Sequence, residues 1–181
     1  PAFYASLPEQ TPTHLALRLL ILTAVRSYPV RFCHLDQIEA NVWTIPAANM
    51  KGQHGLVTDF RVPLSDEALQ VIESAKPLSR EGFLFPSVRK GVISDATMSR
   101  HMERRELLAR PHGFRSSFKT WCVETTDMPD VVVETSLAHV VGNKVERSYR
   151  RTDLLERRRP LMTRWADHVT GRNASEVIKI A

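Results

Sequence analysis

The chain has 181 residues, of which 43% are hydrophobic and 25% charged. That is the make-up of one globular domain able to bury a real core, not of a disordered or fibrous chain. No apolar run approaches a membrane span and no signal-peptide pattern is present, while Cys33 and Cys122 stand far apart without metal-ligand spacing; a membrane protein and a disulfide framework are both disfavoured, and a reducing, cytoplasmic setting is expected. The net charge of +5 permits a polyanionic partner without specifying one.

In chain order, Thr11-Pro12 reads as an N-cap followed by proline at the first helical position. Leu15, Ala16, Leu19, Leu20 and Leu22 then predict a largely buried helix ending near Val25. Trp43 to Pro46 and Leu56 to Leu64 read as two strands around a polar turn, Lys51 to Gly55. Ser65 caps a short helix through about Ser74, and Phe83-Leu84-Phe85 is a brief apolar run before Pro86. Ser94 caps a helix with Met98 and Met102 on one face. A helix from His112 buries Phe114, Phe118, Trp121 and Cys122, and Asp127-Met128-Pro129 restarts the chain into a helix ending near His139. A last helical region carries Tyr149 and continues to about Val169, with Pro160 as a kink or break. There is no internal repeat and no low-complexity segment. The expected fold class is α+β, mainly α-helical, with a small antiparallel sheet.

The run Pro111-His112-Gly113-Phe114-Arg115-Ser116-Ser117-Phe118 carries the most chemistry. Its imidazole and guanidinium are three residues apart at a helix start, so both can face one anion. Arg115 offers a planar fork matched to phosphate oxygens, and His112 can donate or move a proton near neutral pH. A histidine and an arginine at that spacing arise by chance on many helices. The pair gains weight from His139, in Leu137-Ala138-His139, and from Tyr149, in Ser148-Tyr149-Arg150-Arg151.

With Thr23-Ala24-Val25-Arg26 upstream, these residues resemble the catalytic domain of tyrosine site-specific recombinases, the phage-integrase family, from about Leu15 to Val169. Within that family the chain is most similar to integrases of prophages and genomic islands. It shares with them runs such as Trp43-Thr44-Ile45-Pro46, Val62-Pro63-Leu64-Ser65, Gly142-Asn143-Lys144-Val145-Glu146 and Trp165-Ala166-Asp167. The resemblance implies a catalytic domain over residues 1–170 and a tail over 171–181. It also implies cleavage and rejoining of double-stranded DNA at attachment sites, with no cofactor, no metal and no ATP, by a homotetramer on DNA whose isolated fragment can be monomeric. Starting at Pro1, the chain reads as a domain cut from a longer integrase that carries amino-terminal DNA-binding domains. The tail's Val177-Ile178-Lys179-Ile180 run has three readings: a disordered end, a strand added to its own sheet, or a segment docked on a neighbouring protomer.

The resemblance also assigns roles. Tyr149 is the nucleophile; a phenol of pKa near 10 is only about one part in a thousand ionised at pH 7, so neighbouring cations or a histidine must assist it. Arg26 and Arg115 hold the non-bridging oxygens, where a metal stands in many nucleases. Lys51, in the turn between strands, protonates the 5′-leaving oxygen, and its bland alternative is a solvated turn lysine. His112 and His139 bond the phosphate and assist proton transfer, or else serve as capping or core residues. Ten arginines, Arg100, Arg104, Arg105, Arg110, Arg147, Arg150, Arg151 and Arg157 to Arg159, are candidate phosphate contacts, each with an equal claim to be a solvated or ion-paired surface residue.

Two positions depart from the family pattern. Ala24 stands where a glycine is usual, and Pro29 stands three residues after Arg26, where an acidic residue usually orients the arginine. Asp36 and Glu39 follow as possible substitutes. Two further readings therefore stay open: a catalytically degenerate recombinase fold kept as a DNA-binding or assembly module, and a type IB topoisomerase.

Overall fold

The computed structural model describes residues 1–52, 58–142 and 152–172. In chain order its elements are α1 (Ala2–Ala5), α2 (Pro12–Thr23), α3 (Ser27–Arg31), β1 (Ile38–Glu39), β2 (Val42–Ile45), β3 (Phe60–Pro63), α4 (Asp66–Ala75), α5 (Asp95–Glu103), α6 (Gly113–Thr125), α7 (Asp130–Ser136) and α8 (Leu155–Thr170). This is a mainly helical α+β fold with one three-stranded antiparallel sheet in the order β1-β2-β3.

The helix starts follow their caps. The Thr11 hydroxyl accepts from the His14 N–H at 3.3 Å, and Pro12 opens α2. Ser65 accepts from the Ala68 N–H at 3.3 Å at the start of α4. The apolar residues of α2 surround its axis rather than forming a stripe, which marks a central helix. Leu15, Leu17, Leu19, Leu20 and Leu22 are all buried, and α3, α4, α5, α6 and α8 pack around them. Each such leucine contributes roughly 1.5–3 kcal/mol of burial.

Polar links fasten the shell to this rod. The Tyr4 hydroxyl donates to Glu67 Oε1 at 2.8 Å, and Arg18 donates to both Tyr4 (3.1 Å) and Glu67 (2.9 Å). Burial pushes the Tyr4 hydroxyl well above its usual pKa, so it remains a donor. On the other side Trp165 Nε1–H donates to the Ile21 carbonyl at 2.7 Å, pinning α8 to α2.

In the sheet, Trp43 lies opposite Ile38 on β1 and Val62 on β3, fully buried, and its indole N–H donates to Gln37 at 3.0 Å. Strand β1 has only two residues, too few to show a period in sequence. Of the second expected strand, Leu56 to Leu64, Phe60–Pro63 is present, while residues 53–57, which take in the end of the expected turn and the first two positions of that strand, lie outside the described residues.

Pro160 requires a correction. A kink or break is expected there, but α8 runs through it to Thr170. The proline removes a single N–H near the helix start, while the buried Leu161, Met162, Trp165 and Val169 carry the packed face onward.

Candidate active site

The site begins where α2 stops. Ala24, at the position where the resembled proteins carry glycine, adopts the left-handed conformation with φ 52°. An alanine there costs on the order of 1 kcal/mol, which surrounding packing must offset. The turn directs the Ala24 carbonyl inward and delivers Arg26 to the N-cap of α3 in an extended conformation.

Arg115, on the first turn of α6, lies beneath this turn with 5% of its surface exposed. Its Nη1–H donates to the Ala24 carbonyl at 2.6 Å. Its Nη2 donates to the Leu137 carbonyl at 2.6 Å and to His139 Nε2 at 3.1 Å. A second left-handed alanine, Ala138 with φ 51°, follows α7 and brings both of those acceptors to the guanidinium. One side chain thus ties together three segments far apart in sequence: the end of α2, the start of α6 and the end of α7. Its Nε–H and second Nη1–H have no partner among the described residues. Burial, and then the charge of Arg26, pull the Arg115 pKa down to about 10, so it remains a cation at neutral pH. The repulsion from Arg26 means two positive charges converge on one spot, a field suited to an anion.

A small concavity opens there, lined by Arg26, Pro29, Lys51, Arg115 and Ala138 among others. Three expected site residues, Arg26, Lys51 and Arg115, therefore line one space, and His139 is bonded to the third. His112 sits exposed just before α6, its carbonyl accepting from the Arg115 N–H at 3.2 Å, and is not among the lining residues. Tyr149, with Arg147, Arg150 and Arg151, lies outside the described residues, as does the Val177 to Ile180 run. Among the described residues no group of three His, Cys, Asp or Glu side chains could hold a metal ion, and no helix is long and apolar enough to cross a membrane.

Pro29 is buried and lines the concavity itself. Asp36 is exposed beside His34 at 3.5 Å, and Glu39 is exposed on β1; neither lines the space. The carboxylate that does reach this group belongs to Glu134 on α7. Its Oε2 lies 2.6 Å from His139 Nδ1, and its Oε1 lies 2.6 Å from Lys119 Nζ. The hydrogen bond from Lys119, helped by that from His139, holds the Glu134 carboxyl below its usual range. Sequence reasoning missed both residues. Lys119 was legible as the position four after Arg115 on the same helix face, whereas nothing local marks Glu134.

Some candidate DNA arginines are committed elsewhere. Arg158 is 1% exposed and ion-paired with Asp153 at 3.3 Å, so it is not a phosphate contact. Arg105 donates to the Ser6 carbonyl and hydroxyl, both at 2.8 Å, and Arg110 pairs with Glu103 at 3.3 Å.

The signature of the phage integrase family matches residues 2–155. Prophage integrase IntA of Escherichia coli strain K12 is 40% identical over 166 residues, which cover 87% of this chain and 39% of that protein. Prophage integrase IntZ of the same strain is 31% identical over 179 residues, 93% of this chain and 43% of its own length. The integrase of Enterobacteria phage P4 is 28% identical over 93% of the chain and 43% of its own length. The chain thus spans about two fifths of the length of the curated relatives it matches. No solved structure shows a significant match. With the family signature over most of its length and a prophage integrase 40% identical, the chain belongs to the phage integrase family, the tyrosine recombinases, and is of the prophage-integrase type.

Proposed function

We propose that residues 1–170 form the catalytic domain of a site-specific integrase that cuts and rejoins double-stranded DNA through a 3′-phosphotyrosyl link, moving a prophage or genomic island. The observation that carries this reading is the convergence of Arg26, Lys51 and Arg115 on one concavity, with His139 bonded to Arg115.

In this reading a backbone phosphate enters the concavity and its two non-bridging oxygens meet Arg26 and Arg115. As Tyr149 Oη attacks in line, the phosphorane gathers negative charge. The two guanidinium groups are already in place to meet it, so little reorganisation is needed at the moment of reaction. The P–Oη bond forms and the P–O5′ bond breaks. Lys51 gives a proton to the departing O5′, and the phenolic proton passes to a histidine, either His139 or His112. The 5′-hydroxyl of another strand reverses the step, so the phosphate-ester bond energy is kept and neither ATP nor a metal is required. On DNA the protein works as a tetramer.

The test uses nicked duplexes that tile the junction beside the coding sequence. Wild type should yield a denaturant-stable protein–DNA adduct, and Tyr149→Phe should yield none. An adduct that survives in Tyr149→Phe refutes Tyr149 as nucleophile. One observation favours a second reading, a degenerate DNA-binding module: buried Pro29 occupies the place of the usual acidic residue. Tight binding to the same duplexes without any adduct would select it.

A further inference from the structure

We propose that Glu134 is a positioning residue for catalysis: it fixes the tautomer of His139 and places, from α7, a negative charge in range of Arg115. The proposal rests on the recombinase reading above and extends it to a residue outside the expected site.

The direction of each hydrogen bond decides the tautomer. A guanidinium has five N–H donors and no acceptor. Arg115 Nη2 lies 3.1 Å from His139 Nε2, so Nε2 must accept with its lone pair. The ring proton then sits on Nδ1, 2.6 Å from Glu134 Oε2, which accepts it. His139 is therefore a neutral ring whose free basic nitrogen points toward Arg115 and the concavity it lines. Such a ring can only gain a proton at Nε2. When it does, Nε2–H and Nη2–H become two donors facing each other and that contact opens. Glu134 on the far side of the ring stabilises the imidazolium that results. This division of labour, in which a carboxylate orients a histidine and steadies its charged form, is how carboxylate–histidine pairs serve general bases elsewhere.

Lys119 completes the device. It pairs with Glu134 Oε1 at 2.6 Å, so the carboxylate is held at both oxygens and Oε2 stays aimed at the ring. Glu134 also favours the charged form of Arg115 across the ring, opposing the repulsion from Arg26. The usual acidic residue three positions after Arg26 is expected to orient Arg26, a different cation from the one Glu134 acts on. Here that position is the apolar Pro29, and the carboxylate at this site serves Arg115 and His139.

The substitution that isolates this role is Glu134→Gln. With Lys119 in place, the amide oxygen turns to the ammonium and the amide nitrogen turns to the ring. Nδ1 then accepts from the amide, and Nε2–H faces the Arg115 donor, so that contact opens as it does in the protonated ring. Nitrogen-15 NMR of ring-labelled histidine in the whole protein should report Nδ1–H in wild type and Nε2–H in Glu134→Gln. Adduct formation on the nicked duplexes should fall by about 10–100-fold. The double variant Lys119→Met with Glu134→Gln frees the amide to turn its oxygen back to the ring, and should recover both the tautomer and much of the rate. A structural role alone would not produce that recovery. An Nε2–H tautomer in wild type overturns the proposal, as does wild-type cleavage by Glu134→Gln with its tautomer switched. A wild type that forms no adduct counts against the recombinase reading alone; the tautomer of His139 still supports or overturns the role given to Glu134.

Discussion

Asp153 is the residue whose replacement should cost the fold most for its size. It lies just after residues 143–151, at the entry to α8, and bridges two arginines. Arg61 on β3 grips both its oxygens at 2.9 and 2.8 Å, and Arg158 on α8 reaches Oδ2 at 3.3 Å. Arg158 is 1% exposed, and its Nε–H has no partner among the described residues. Burial drives its pKa down to about 10 even with Asp153 beside it. That displacement corresponds to roughly 3 kcal/mol set against the buried charge. Asp153→Asn keeps the shape and removes the counter-charge, leaving Arg158 facing Arg61 across a neutral amide. The expected loss is roughly 3–5 kcal/mol, the cost of breaking one side of a buried pair. Arg158→Met should fall within about 1 kcal/mol of wild type or above it. It removes the buried charge, keeps an apolar stem on Phe60, and gives up only the guanidinium contact 5.0 Å over that ring. The double variant should then match Arg158→Met and not Asp153→Asn, a coupling of at least about 2 kcal/mol. Urea unfolding followed by tryptophan fluorescence measures all four proteins, with equal slopes required before midpoints are compared. The pH dependence is fixed in sign. Burial raises the Asp153 carboxyl, but the bond from Arg61 and the charges of Arg158 and Arg61 outweigh it, and its pKa lies below the unfolded value. Its stabilisation is therefore present above the unfolded carboxylate pKa of about 3.9 and is lost as pH falls through the lower folded value. The gap between wild type and Asp153→Asn should close in that acid range. A cost below about 1 kcal/mol at pH 7, or a double variant as weak as Asp153→Asn, refutes the reasoning.

Three further outcomes follow from the site. Arg115→Lys keeps a positive charge but cannot span two carbonyls; single-turnover adduct formation should fall by about 10²–10³, and urea unfolding should show a loss of roughly 1–3 kcal/mol from the carbonyl left without a donor. A variant as stable as wild type would contradict the stapling role. Lys51→Ala should slow cleavage by about 10²–10⁴ if the ammonium is the general acid. Replacing O5′ with sulfur should remove most of that deficit, since a thiol of pKa about 8.5 leaves without a proton; an equal deficit on both substrates would rule out proton donation. Ala138→Gly should raise the unfolding free energy by up to about 1 kcal/mol, because glycine relieves the left-handed φ of 51° at a helix end, and a lower urea midpoint at equal slope would show that the methyl packing outweighs the backbone effect.

What could be read in the sequence was what is local. Caps at Thr11 and Ser65, the all-round apolar helix α2 and the methionine face of α5 are set by neighbours a few positions away, and they appear where expected. The positions of Arg26, Lys51 and Arg115 were legible through resemblance, since each sits in a short run with its own pattern. The second employment of Arg115 was not. A phosphate-binding guanidinium and a structural staple look identical in sequence, and only the carbonyls of Ala24 and Leu137 separate them. Arg158 failed in the opposite sense. Among its basic neighbours it reads as surface charge, yet Asp153 and Phe60 draw it inside.

Pro29 and Glu134 show why such failures cluster at a site. A catalytic position is defined by where a charge must be, not by which stretch of chain supplies it. A carboxylate can act on Arg115 from α7, across an imidazole, and it favours the charged form of the guanidinium. Such a carboxylate serves only if the element that carries it is rigid enough to keep it in range. Helix α7 meets this requirement: Val132 and Val133 are buried, Lys119 holds the outer oxygen, and Arg115 secures the helix end through the Leu137 carbonyl. At Arg115 the charge is thus supplied through space from α7, while Pro29 stands where the residue that orients Arg26 is usual, and adduct formation by the wild type decides between the catalytic and the degenerate reading.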